Sequence, residues 1–160
     1  MAGMAKGAKG VKKRYEVFME KYKLPSFEEL DSEFEISAID SESFLLREVR
    51  ARVSDKVGEV GSLLEAVLHP ETNLVDLYES RIFDEQEKNE LFELYKKLMA
   101  ADRNLAELSV LNDEELDAAF IKSFSAEWKK LKPELVKFIR KLREAWEKET
   151  DEREVAGYMG

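Results

Sequence analysis

The stretch Phe83–Val110 constrains this chain most. Asp84 followed three residues later by Glu87 is a capping-box pattern, two side chains that satisfy backbone donors left unpaired at a helix start. Beyond it Leu91, Tyr95, Leu98, Leu105 and Ser109 fall in helical phase, flanked by Phe92, Met99 and Ala106. That spacing predicts a long helix with one apolar side. Asp102 falls at the expected centre of the stripe, where a carboxylate needs solvent, a cation or hydrogen-bond donors to offset its burial.

A second stripe, Leu46, Val49, Val53, Val57, Val60, Leu64 and Val67, predicts another long helix from about Asp40 or Ser41 to Leu68, stopped by His69-Pro70. Its many β-branched side chains are poor helix formers, so packing must hold it. Gly58 and Gly61 lie off the centre of this stripe, as close-approach points or tolerated weak ones. Asn112 with Glu115 repeats the start signal of a third long helix, carried by Leu116, Phe120, Phe124, Trp128 and Leu131 and continued in phase by Phe138, Ile139, Leu142 and Trp146. Pro133 is expected to kink this arm, Asp113–Glu149, or leave it nearly continuous.

Shorter elements fill the rest. Val11, Tyr15, Phe18, Met19 and Tyr22 predict a first helix ending before Pro25, and Ser26 with Glu29 predicts the start of a second that carries Phe27, Leu30 and Phe34. Asn73 is the expected N-cap of a short linking helix with Leu74, Leu77 and Tyr78 on its apolar face. The expected fold is therefore all-α: an antiparallel bundle of three long helical arms plus a short N-terminal helical pair. Residues 1–10 are expected to be a disordered basic arm, 11–149 a single domain and 150–160 a frayed tail.

Composition agrees with a folded interior under a charged surface: 44% hydrophobic and 38% charged residues, with only seven Gly and three Pro. Residues 1–14 hold five Lys/Arg and no acid, so the rest of the chain carries −14, the −9 total less that +5. No apolar run reaches the roughly 20 residues that span a bilayer, and a cytoplasmic location is expected.

The sequence excludes more chemistry than it suggests. There is no Cys and a single His, His69, which reads as a cap for a helix C-terminus. Phosphate-binding glycine loops, a nucleophile elbow, an EF-hand loop and the paired Glu-x-x-His motifs of di-iron bundles are all absent from the sequence. No cofactor, metal or enzymatic activity is expected. Asp102 is expected to form a structural ion pair with Arg50, which would fall opposite it if Leu68 and Asp84 lie level at one end of an antiparallel pair.

Positive charge is the clearest polar feature. Residues 129–143 hold seven Lys/Arg against one Glu, and Lys130, Lys137, Lys141 and Lys148 line up away from the apolar face. With Lys12, Lys13 and Arg14 they are the candidate anion or nucleic-acid contacts. The −14 on the remainder opposes that role. The expected function is protein–protein contact or self-association, with accessory nucleic-acid binding as the alternative.

Overall fold

In the computed structural model, which describes residues 6–148, with side chains from residue 10 onward, α1 spans Lys6–Tyr22, α2 Phe27–Phe34, α3 Leu45–Leu68, α4 Leu74–Arg81, α5 Glu85–Leu111 and α6 Glu114–Glu147. One 3-10 turn, Ile36–Ala38, follows α2, and no strand occurs among the described residues. The fold is all-α, with α3, α5 and α6 as the three long arms and α1 and α2 as the N-terminal pair. Among the described residues no helix is long and apolar enough to cross a membrane. The 150–160 tail and the first five residues of the basic arm lie outside the described residues. Residues 6–10, expected in that arm, belong to α1.

The chain divides into two units. The first takes in the described chain up to Gly58 together with Ala101–Lys129, the second Glu59–Ala100 together with the chain from Lys130. The long helices α3, α5 and α6 each contribute a segment to both.

In the first unit α1 and α2 are joined by Tyr15, which is fully buried, meets the Phe27 ring edge-on at 5.9 Å and donates its hydroxyl hydrogen to the Pro25 carbonyl. Ser26 caps α2 by accepting from the Glu29 amide at 3.1 Å. Phe34 then packs on Phe124 and Trp128 of α6 at 6.3 and 5.6 Å, and the Trp128 indole N–H donates to Glu33 at 2.8 Å. Helix α3 begins at Leu45, several residues later than Asp40 or Ser41. The intervening chain turns through the 3-10 segment and then Phe44, which has a left-handed φ of 52°.

In the second unit the Asp84–Glu87 box forms in both directions: the Asp84 amide donates to Glu87 at 3.1 Å and the Glu87 amide to Asp84 at 2.8 Å. Asn73 caps α4 as expected, accepting from the Asp76 amide at 2.9 Å. Leu74, expected on the buried face, is 58% exposed, while Ser80 is buried and donates to the Val67 carbonyl at 2.8 Å. Gly61 lies against Met99 of α5. Pro133 sits on the exposed side of α6 and does not end it, because Leu131, Leu135, Phe138 and Leu142 are buried in phase on either side.

Candidate functional site

The first unit holds a charge cluster where α5 turns into α6. Arg50, in the second turn of α3, is 7% exposed, and its Nη1 donates to the Leu108 carbonyl at 2.8 Å and to the Asp117 carboxylate at 2.7 Å. Leu108 lies in the last turn of α5, so a guanidinium meets a carbonyl at the negative end of that helix dipole. Asp117 is 3% exposed. Burial pushes its carboxyl above the usual carboxylate range, opposed by the hydrogen bond from Arg50 and by the charge of Arg47.

The expected Arg50–Asp102 pair is thus replaced by Arg50–Asp117. The register explains why: Arg50 meets Leu108, six residues beyond position 102, so α3 and α5 are offset from the assumed alignment. The apolar stripe of α5 is also rotated, its buried positions being Leu91, Leu94, Leu98, Ala101, Leu105 and Leu108. Ala101 occupies the central place and Asp102 the flank, with its side chain 30% exposed and paired to Arg103 at 2.7 Å. Arg50 and Asp102 nevertheless share a groove of about 300 Å³ between α3 and α5, walled by Ala51 and Ser54 on one side and Ala106 and Ser109 on the other.

The same cluster fixes the corner between α5 and α6. Asn112 has a φ of 51° and its amide donates to the Leu108 carbonyl at 2.9 Å, the left-handed residue that ends a helix. Asp113, not Asn112, caps α6, accepting from the Leu116 amide at 2.9 Å. Tyr22, at the end of α1, donates to Glu114 at 2.7 Å. Around this pinned turn Val110, Leu111 and Leu116 are 80%, 52% and 44% exposed.

The candidate cations divide between the units. In the first, Lys12 is paired with Glu28 at 2.8 Å, Arg14 lies 4.6 Å from the centre of the Phe18 ring and Lys13 is exposed. In the second, Lys130, Lys137 and Lys148 are exposed, whereas Lys141 is tied to Glu87 and stands 4.9 Å from the centre of the Phe83 ring. The Lys141 contact holds the Glu87 carboxyl below its ordinary range, helped by the Asp84 amide. His69 is exposed beyond the end of α3. Among the described residues no group of three His, Asp or Glu side chains is placed to hold a metal ion.

Leu116, expected on the apolar face of α6, is exposed instead, whereas the burial of Asp117 and the exposure of Val110 and Leu111 were not expected, although a signal existed for each. Asp117 falls in helical phase with Ile121, Phe124 and Trp128, which marks it as inward-facing. Val110 and Leu111 are adjacent apolar residues just before an Asn-Asp turn, where one helix face cannot bury both. Comparison with protein-family models, curated proteins and solved structures finds no match to this chain.

Proposed function

We propose that the chain acts by binding another protein, or a second copy of itself, through the α5–α6 corner and without a reaction of its own. The observation that carries this reading is the exposure of Val110, Leu111 and Leu116 on both sides of a two-residue turn. Exposed aliphatic side chains grouped in this way mark contact surfaces, since burying them against a partner removes apolar area from water. The turn is held by Arg50, Asn112 and Asp113, so little ordering remains to oppose association. Exposed Glu107, Asp113 and Glu115 rim the corner, which favours a partner with an apolar pocket and a basic margin. Affinity capture with the wild-type chain and with a Val110→Lys, Leu111→Glu variant tests it. A specific protein, or the chain itself, is retained by the first and lost from the second. Equal retention contradicts the reading.

Accessory nucleic-acid binding is the second reading, resting on exposed Lys130, Lys137 and Lys148. It requires affinity for random DNA or RNA that falls steeply with salt and drops on charge reversal at these three positions.

A further inference from the structure

We propose that the groove between α3 and α5 in the first unit is a binding site for a small zwitterion, with a carboxylate directed at Arg50 and an ammonium group at Asp102. The two hydrogens of Arg50 Nη1 are taken by Leu108 and Asp117, while Nε and Nη2 form no hydrogen bond among the described residues. Those atoms are not buried orphans, because among the described residues the one buried side-chain nitrogen or oxygen without a partner is Nε of Arg47. The Nε–Nη2 edge of the Arg50 guanidinium therefore keeps some access to solvent, and Arg50 is one of the residues that line the groove. That edge is the two-donor fork that matches a carboxylate, and it is held in place from the other side by a carbonyl and an acid.

Electrostatics selects the ligand's net charge. Arg50 is balanced by Asp117, Asp102 by Arg103 at 2.7 Å, and Asp55, on the same groove, by Arg52 at 4.0 Å. A ligand with net charge gains no counter-charge from three balanced pairs, whereas a zwitterion meets a guanidinium at one end and a carboxylate that is 30% exposed at the other. The hydroxyls of Ser54 and Ser109 supply further polar contacts, and Ala106 leaves the space open. A volume of about 300 Å³ is the liquid share of about ten waters, enough for an amino-acid-sized molecule.

The test is a nuclear magnetic resonance titration of the ¹⁵N-labelled full chain with glycine, β-alanine, 4-aminobutyrate and 6-aminohexanoate, against acetate and methylammonium. At least one zwitterion is expected to shift the Arg50 Nε–H and the Ser54 and Ser109 amides saturably, with acetate and methylammonium each binding at least about tenfold more weakly. Asp102→Asn weakens the best zwitterion about tenfold, and Ala106→Phe, an exposed substitution that fills the groove, abolishes the shifts. Absence of saturable shifts with every zwitterion, equal binding of acetate, or indifference to both substitutions overturns the proposal.

Discussion

Arg50 and Asp117, 67 positions apart in the chain, meet at 2.7 Å through a guanidinium nitrogen that also donates to the Leu108 carbonyl at the corner between α5 and α6. Burial raises the Asp117 carboxyl in spite of Arg50, so the folded state favours its neutral form more than the unfolded chain does. Asp117→Asn, which keeps an oxygen facing Nη1, is therefore expected to change stability by no more than about 1 kcal/mol. Asp117→Leu leaves a buried guanidinium hydrogen without an acceptor and is expected to cost about 3 kcal/mol. The pH dependence has a defined sign. Asp117 contributes most below the ordinary carboxylate value, and its contribution declines as pH rises from there through the raised one. Urea unfolding of both variants between acid and neutral pH measures all three effects.

Tyr15 tests the joint between α1 and α2. Its phenol is raised by burial first and by the nearby Glu29 charge second, so it stays neutral where exposed tyrosines ionise. Its contribution is complete below the unfolded value of about 10 and is lost as pH climbs towards the higher folded value. Ultraviolet titration should show a component that ionises only with alkaline unfolding, and Tyr15→Phe should remove the Tyr15 share of it. The same substitution leaves the Pro25 carbonyl without its donor and should cost about 1 kcal/mol.

The start of α5 carries its own titration. Glu87 is held below its ordinary range chiefly by Lys141 and next by the Asp84 amide. Its contribution is present above the ordinary glutamate value and disappears as pH falls through the depressed folded one. Carboxyl-resolved nuclear magnetic resonance should find Glu87 titrating low, and Lys141→Met should move it upward while leaving the Asp84 share of the shift.

Two glycines in α3 separate propensity from packing. A Cβ on Gly58 meets nothing within 4 Å, so Gly58→Ala should stabilise by about 0.5–1 kcal/mol through reduced backbone freedom in the unfolded chain. A Cβ on Gly61 meets the Met99 methyl at 3.3 Å, and Gly61→Ala should gain less than Gly58→Ala or lose stability. Thermal unfolding of the two single variants gives the comparison.

Helix identity was legible because it rests on local signals. Asp84–Glu87, Ser26 and Asn73 cap where their side chains indicate, and the valine stripe of α3 is buried from Val49 to Val67. What failed depends on small or long-range differences. Ala101 outcompetes Asp102 for the buried position on α5, a rotation of one residue that large side chains alone do not reveal. Asn112 carries the chemistry of both a helix start and a left-handed stop, and its backbone adopts the stop. The alignment of α3 with α5 was assumed from their ends, and Arg50 found Asp117 instead of Asp102 because tertiary packing set a different one. Phe44, with its left-handed backbone and 69% exposure, had no sequence signal.

Site-specific photo-cross-linking in the native cell tests the proposed contact surface most directly, with the reactive residue placed in turn at Val110, Leu111 and Leu116 and, as a control, at exposed Asn104. Partner binding at the corner predicts a discrete protein adduct, or a dimer of the chain, from the three corner positions and none from Asn104. No adduct from the corner, or the same adduct from all four positions, would contradict it.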